Sequence, residues 1–297
     1  MRELAVPDQR VVSALQVDGR AGPGRIAEVL DVSPRTVARS LARLAPLVRV
    51  VRVPDPAHGL RGAALVRVRV LRGRVEVLAD ALARRPEVLF VDVLSGGEEI
   101  SAVVLGGVPK LPANAITSVQ ALSVLHVFSD AADWRTGLLT AAEAAALAPR
   151  PPTDGVTPDA LDLALLDVLA ADARTGPGAL AAATGAPEST VRRRVDRLAA
   201  GGHLRTCVVA DPRLFGLAVD ANVWMTVPPG RLDALGRALA RHPLVHGALA
   251  TTGRTNLTAA VFCRDLPALY EFVTGLHDVP AAEVTVVGSA VKRAGWR

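Results

Sequence analysis

The chain repeats itself, and that bounds the fold before any single motif is read. "DGRAGPGRIAEVLDVSPRTVARSLARL" (18–44) aligns without a gap on "DARTGPGALAAATGAPESTVRRRVDRL" (172–198), with 11 of 27 positions identical at an offset of 154. "GRVEVLADALARRPEV" (73–88) aligns on "GRLDALGRALARHPLV" (230–245) at an offset of 157, with 9 of 16 identical. Gly96 then falls on Gly253, and Trp134 falls on Trp296 at an offset of 162. The order of segments is kept and the offset grows only through small insertions. The 297 residues are a tandem duplication of a unit of about 150 residues, itself long enough for two small domains.

The first part of each copy is helical. Val11 and Leu15 in one copy, and Leu161, Leu165 and Leu169 in the other, recur at helical spacing. "GRIAEVL" and "GALAAAT" give a short second helix, and a tight turn follows, "DVS" or "GAP", in which Val32 and Ala186 are expected to be buried. The third helix opens on Ser33-Pro34, an N-cap before a first-position proline, and on Pro187-Glu188, where a negative charge suits a helix start. Val37, Leu41 and Leu44 form its expected buried stripe, as do Val191, Val195 and Leu198. Two short helices joined by a tight turn, the second presenting cations outward, match a helix-turn-helix.

The second part alternates strands and helices. "ALVRVRV" (64–70) alternates apolar residues with arginine, as a half-buried strand does. The helix "GRVEVLADALARRP" follows, then "VLFVDVL", a turn at "SGGEE", "ISAVVLG" and a last strand near "VQALSVLHVF". The second copy runs "DANVWMTV", "GRLDALGRALARHP", "VHGALAT", "TGRTN", "LTAAVFC", the helix "DLPALYEFVTGLH" and "EVTVVGSAVKR". This is a βαββαβ order, an antiparallel sheet with helices on one face. Between the copies, "AAEAAALAPRPPTDGVTP" (141–158) reads as a short helix and then an extended linker, since Pro149, Pro151, Pro152 and Gly155 cannot continue it.

Composition bears on the partner. Net charge is +5, and 32 of the 34 basic residues are arginine, whose planar fork suits phosphates and guanine edges. Aromatics make up only 3% of the chain. Single strands are usually held by stacking bases on aromatic platforms, so a duplex is the expected nucleic acid. Cys207 and Cys263 are too few and scattered for a disulfide framework or a metal site, which fits a reducing cytosol. The start "MRELAVPDQR" lacks the apolar core of a signal peptide. Residues 111–129 carry no formal charge, but Pro112, Asn114, Thr117, Ser118, Gln120 and Ser123 interrupt them, so a loop and a strand are expected rather than a membrane span. A cytoplasmic protein is expected.

Candidate DNA-binding residues are those of the third helices lying off the buried stripe. They are Arg35, Thr36, Arg39 and Arg43 in the first copy, and Ser189, Thr190, Arg192, Arg193, Arg194 and Arg197 in the second. Arginine donates two bonds to guanine O6 and N7, and Ser or Thr bonds phosphates or bases. A solvated face is the alternative for one such helix. Recurrence of Arg39 as Arg193 and of Arg43 as Arg197 favours DNA. Arg43 and Arg197 lie late in the helix, where they touch phosphates or nothing. By number of arginines the second head is expected to grip harder, so that Arg192, Arg193 and Arg194 together matter more than Arg35 and Arg39. His58, His126, His203, His242, His246 and His277 show no metal-ligand spacing, since Pro243 separates His242 from His246. There is no nucleophile motif and no Walker loop; Gly22-Pro23-Gly24 and Gly176-Pro177-Gly178 read as turns before the second helices. Neither a metal nor a cofactor is expected, and Trp134 and Trp296 read as packing at equivalent repeat ends.

A helix-turn-helix followed by a βαββαβ domain resembles the Lrp/AsnC family of leucine-responsive, feast/famine transcription regulators. The residues that carry it are "DGR…RIAEVLDVSPRTVARSLARL", and "HPLVHGALATTGRTNLTAAVFCRDLPALYEFV" with "EVTVVGSAVKRAGW". The resemblance implies an α+β chain in which two winged-helix or helix-turn-helix domains alternate with two ferredoxin-like ligand-binding domains of the RAM type. The expected divisions are 1–56, 57–140, a linker at 141–157, 158–212 and 213–297. Family members usually carry one such unit and dimerise through their sheets, so the fusion implies an intramolecular pseudo-dimer, with further self-association through the same domains. Small effectors, often amino acids, bind at interfaces between those domains. The loops at the family's effector turn offer Gly96, Glu98 and Glu99 in one copy, and Thr251, Thr252, Gly253 and Asn256 in the other. Two departures stand out. "LAPLVRVVR" (44–52) lacks the glycine of the wing turn that "LAAGGHLRT" (198–206) keeps, and Pro109 and Pro112 predict a truncated second helix in the first sheet domain. The implied function is sequence-specific regulation at an imperfect palindrome in double-stranded DNA. Alternatives are an enzyme similar to the sirohaem decarboxylases, which share the unit but have histidine and tyrosine where these strands offer only His246, and an effector-free architectural DNA binder.

Overall fold

Proline after glycine starts the second helix of each helix-turn-helix: Gly22 and Gly176 cap it, and Pro23 and Pro177 are its first residues. In the computed structural model, which describes residues 2–55, 62–107, 109–111, 113–149, 156–277 and 279–296, the first copy runs α1 (Val6–Val17), α2 (Pro23–Leu30), α3 (Pro34–Leu44), β1 (Val48–Arg52), β2 (Ala64–Val70), α4 (Val75–Ala83), β3 (Val88–Leu94), β4 (Glu99–Val104) and β5 (Ile116–Ser129). The second copy follows with α5 (Ala141–Leu147), α6 (Ala160–Ala171), α7 (Pro177–Thr184), α8 (Glu188–Ala200), β6 (Thr206–Ala210), β7 (Val219–Thr226), α9 (Pro229–Ala240), β8 (Val245–Thr251), β9 (Leu257–Cys263), α10 (Leu266–Thr274) and β10 (Ala281–Lys292). Pro112, Pro151, Pro152, Gly155 and His58 lie outside the described residues. The second helix of the first sheet domain is reduced to the single 3-10 turn Ala113–Ala115 among the described residues. Residues 113–129 form that turn and strand β5, and no described helix is long and apolar enough to cross a membrane.

The elements gather into two units, each drawing on both copies: residues 1–55 with 135–215, and residues 56–134 with 216–297. In the helical unit, the strand after each third helix does not fold back into a wing of its own. β1 pairs antiparallel with β6, in the register Val48↔Ala210 through Arg52↔Thr206, and Val50, Val51, Cys207 and Val209 bury its apolar positions. The missing glycine of the first wing turn is therefore not needed. Two arginines at the same repeat position lock the ribbon reciprocally. Arg20 donates to the Ala173 carbonyl, and Arg174 Nη1 donates to the Gly19 and Ala21 carbonyls at 2.6 and 3.1 Å. Each helix-turn-helix keeps its own core, around Val12, Ile26 and Val37 in one and Leu165, Leu180 and Leu198 in the other.

In the other unit the two sheets join into one closed barrel, in the order β10-β3-β4-β2-β5-β8-β9-β7. Closure comes from two long strands that change partner midway. β5 pairs with β2 from Ile116 to Ser123 and with β8 from Val124 to Ser129. β10 pairs with β7 from Ala281 to Val286 and with β3 from Val287 to Lys292. Among the described residues the barrel has no edge strand, which removes a template for unwanted pairing. Helices cover the outer face: Leu78, Ala79 and Leu82 of α4 pack on Val66, Val68 and Val91, and Leu239 of α9 with Leu269 and Phe272 of α10 completes the core around Val223, Met225 and Val261.

Alternation in β2 is real, but its arginines do not both face water. Arg67 is buried, whereas Arg69 is exposed. Closing the barrel turns the polar face of this strand inward, where Trp224, Leu65 and Leu122 also lie. One contact between the copies depends on the absence of a side chain. A Cβ on Gly236, in α9, would lie 2.1–2.4 Å from the Phe128 ring of β5. Gly236→Ala is therefore expected to lose about 1–3 kcal/mol through overpacking, more than helix propensity returns. Gly24→Ala, whose Cβ meets open space, should be neutral or slightly stabilising. Urea unfolding of both variants checks the contrast, and equal midpoints would refute it.

Candidate nucleic-acid interface

The turn of each helix-turn-helix rests on one left-handed residue. α2 ends on Asp31 (φ 53°) and α7 on Gly185 (φ 70°), at the same position of the repeat. Glycine takes this conformation without strain, and aspartate tolerates it better than most residues. Val32 corrects one expectation. Its N–H donates to Ala27 O at 3.0 Å and holds the turn, while its side chain is 41% exposed. Ala186, its counterpart, packs half-buried against the second core. Ser33 caps α3 by accepting from the Thr36 N–H at 3.1 Å, and Pro187 precedes α8 with Glu188 in its first turn.

Val37 and Leu44 are buried on α3 with Leu41 half-buried, and Val191, Val195 and Leu198 are buried on α8. Ser40 joins the buried side of α3, bonded to Asp8 of α1. Its counterpart is Arg194, and here the structure departs from the expected outward face. The Arg194 guanidinium turns back to Asp159 and to Asp162 (3.2 Å), and Arg197 also meets Asp162. Asp162 is fully buried and completes a capping box with Asp159 at the start of α6. The first copy has the same latch in a simpler form, Arg43 Nη2 to Asp8 Oδ1 at 2.7 Å. Burial pushes the Asp8 carboxyl up, but hydrogen bonds from Arg43 and Ser40 outweigh it and hold it below the usual range.

Arg192 pairs with Glu188 one turn back, and both remain exposed. Thr36 shares a hydrogen bond with Ser33 (2.8 Å), Ser189 is exposed and Thr190 is half-buried. Among the described residues, Arg35, Arg39 and Arg193 are exposed and have no carboxylate partner. Arg39 and Arg193 occupy the same repeat position.

The arginine latch makes an acid-sensitive contact. The hydrogen bond from Arg194, with that from the Asp162 N–H, lowers the Asp159 pKa to about 2. An unfolded aspartate titrates near 4, so this carboxylate favours the folded state above about pH 4 and loses that contribution as pH falls through about 2. Unfolding midpoints recorded from pH 5 to 2 should fall less steeply for Asp159→Asn than for the parent chain; parallel curves would rule the latch out.

The loops expected near an effector are tied into the barrel. Thr251 is buried, and its hydroxyl donates to Thr255 O at 3.1 Å. Thr252 accepts from the Ser123 N–H at 3.0 Å, and Asn256 closes a two-bond pair with the Val227 backbone at 2.8 and 2.9 Å. Gly253 (φ +99°) lies so close to Leu122 that a Cβ would fall 2.6 Å from its side chain. In the other copy Gly96 is exposed, Glu98 faces Arg72 at 3.7 Å, and Glu99 is drawn to Arg67 and Arg69 at 2.5 and 3.5 Å.

Two buried charged groups inside the barrel have little sequence signal. Arg67 donates two bonds to Glu283 (2.7 and 2.9 Å) and lies 4.5 Å over the Trp224 ring. Hydrogen bonds that it donates to Glu283 and Glu99 hold its charge against burial. Arg293 bridges Asp92 (2.6 Å) and Asp220, and His246 reaches Asp220 at 3.4 Å while stacking on Phe262. Burial raises the Asp92 pKa despite Arg293, whereas Arg293 and His246 outweigh burial and lower that of Asp220. Trp134 packs edge-on against Phe262, as expected of a repeat-end aromatic, while Trp296 stays partly exposed. His126 and His242 pack on Phe128 and Phe272, His203 bonds to Val156 O, and His277 is exposed. No group of three His, Cys, Asp or Glu among the described residues is placed to hold a metal ion.

The family model for the AsnC-type helix-turn-helix domain matches residues 8–45 and again 159–199, and that for the Lrp/AsnC ligand binding domain matches residues 220–296. The chain belongs to the Lrp/AsnC family. The Lrp/AsnC helix-turn-helix is thus present twice, at the two segments that the internal repeat aligns. The chain is 27% identical over 143 residues to an uncharacterized HTH-type transcriptional regulator of Pyrococcus horikoshii, covering 46% of this chain and 90% of that one. It is 23% identical over 128 residues to the HTH-type transcriptional regulator FL11 of the same organism, covering 43% and 85%. Each such relative corresponds to about one copy. Over nearly the whole chain the fold is similar to the crystal structure of the siroheme decarboxylase NirDL in co-complex with an iron-uroporphyrin III analogue, with a TM-score of 0.60, 13% identity and coverage of 98% and 93%. That likeness concerns the fold alone.

Proposed function

We propose that this Lrp/AsnC chain is a sequence-specific, double-stranded-DNA-binding transcription regulator that acts in the cytoplasm as an intramolecular pseudo-dimer. The observation that carries the reading is the pair of third helices, held in one unit by a shared ribbon, each with an exposed, unpaired arginine at the same repeat position, Arg39 and Arg193. Such helices enter successive major grooves about one helical turn apart, or a multiple of it. Because "PRTVARS" differs from "ESTVRRR", the operator is an imperfect palindrome. A small effector, such as an amino acid, bound at the ligand-binding domains modulates the affinity, and further self-association runs through those same domains. The reading is non-enzymatic, since the charged groups inside the barrel are largely committed to one another.

Selection of bound duplexes from a random-sequence library by the full chain tests this. Enrichment of one imperfect palindrome, with affinity falling steeply as salt rises, is the expected result. Uniform retention of all duplexes would indicate an architectural binder instead and overturn sequence-specific regulation.

A further inference from the structure

Counting arginines makes the second head the stronger, yet the geometry reverses that order. α8 carries Arg192, Arg193, Arg194 and Arg197, and three of them face carboxylates of the same unit. α3 carries Arg35, Arg39 and Arg43, and among the described residues only Arg43 does. These partners are not equivalent. Glu188 and Arg192 form an exposed pair one helical turn apart, a kind that contributes little, so Arg192 can leave it for a phosphate. Asp162 is buried and has no solvent to replace Arg194 and Arg197. Drawing those two guanidiniums toward a base edge strips a buried carboxylate of its donors, which is the costly way to break an ion pair.

Position along the helix points the same way. Residues in the first turns of a recognition helix meet base edges, and later ones meet the backbone. Arg35 follows Pro34 at the very start of α3, and Arg39 lies one turn on. The counterpart of Arg35 is Ser189, whose single hydroxyl distinguishes bases poorly.

We infer that the two heads read DNA unequally, with the first specifying its half-site at two base pairs through Arg35 and Arg39 and the second at one through Arg193. Asp162 and Asp159 act as positioning residues that withhold Arg194 from the groove and hold Arg197 to the helix beneath it. Guanine is the base expected opposite each of the three free arginines. The inference rests on the DNA-binding reading above.

The test uses the full chain and the enriched duplex, with affinity measured against every single base-pair substitution. Three guanine positions should each cost tenfold or more when changed, two in one half-site and one in the other. Arg35→Ala and Arg39→Ala should each flatten one position of the two-guanine half, and Arg193→Ala the single position of the other. Arg194→Ala, or Arg194→Lys if the alanine chain fails to fold, should leave all three positions intact. Loss of a position in the Arg194 variants, or two positions responding to Arg193→Ala, would overturn the inference while leaving DNA binding in place. If the full chain enriches no duplex, the functional reading itself fails.

Discussion

Replacing Asp162 with alanine is expected to destabilise the helical unit by about 3 kcal/mol, which for a unit of this size lowers the unfolding midpoint by roughly 10 °C. Asp162 is fully buried, accepts from Arg194, Arg197 and the Asp159 N–H, and has no route to water. Truncation removes the capping box of α6 and leaves two guanidiniums without their common acceptor. Both are part-exposed, at 24% and 42%, so solvent recovers some of the loss and keeps it at the low end for a broken buried pair. The equivalent change in the first copy, Asp8→Ala, should cost only about 1 kcal/mol. Its Arg43 stays largely in water, and Ser40 is the one buried group left unpaired. Thermal unfolding of the two variants side by side gives the comparison, and equal losses would contradict the account of the latch.

The second large effect concerns affinity for the operator. Arg35→Ala combined with Arg39→Ala is expected to weaken binding about a hundredfold or more, since each bidentate arginine contact is worth about 1–3 kcal/mol of discrimination. Arg192→Ala with Arg194→Ala should cost less than about tenfold, the loss of one phosphate contact. This ordering is opposite to the one that composition of the two helices suggests. Electrophoretic titrations at fixed salt decide between them: if the Arg192/Arg194 pair proves the more damaging, Asp159 and Asp162 do not hold Arg194 when DNA is bound.

Much of the fold was legible because duplication prints the same pattern twice. Val37 and Val191, Leu44 and Leu198, and the Pro23 and Pro177 helix starts each appear at one offset, and the structure buries or caps them alike. The truncated helix before β5 followed from its prolines. Closure of the barrel was not legible, because it depends on β5 and β10 changing partner midway, and strand exchange between distant segments leaves no turn or periodicity behind. Arg67 illustrates the consequence. Alternation marks it as the polar face of a strand, but the Glu283 and Trp224 that receive it lie more than a hundred residues away.

The candidate interface was half legible for a related reason. Arg39 and Arg193 recur at the repeat offset, and both are exposed. Arg194 looks identical to them in sequence, since arginine suits any exposed helix position, and its carboxylate partners sit 32 and 35 residues earlier on another helix. A signal did exist. Asp8 and Asp162 occupy the same repeat position, as do Arg43 and Arg197, so a carboxylate paired with a late-helix arginine is repeated in both copies. In the polar loop at 251–256, Thr252 and Asn256 carry groups that sequence alone offers to a ligand, and their bonds also fasten the turn, a use that depends on Ser123 and Val227 far along the chain.

On the proposed function, one chain supplies two unlike reading heads on a shared frame. Hydroxyl-radical footprinting of the full chain on its enriched duplex, at one chain per duplex, tests it most directly. Two protected stretches centred about one helical turn apart, or a multiple of it, are predicted, with Arg35→Ala/Arg39→Ala erasing one and Arg193→Ala weakening the other. A single protected stretch, or protection that appears only at two chains per duplex, would contradict it.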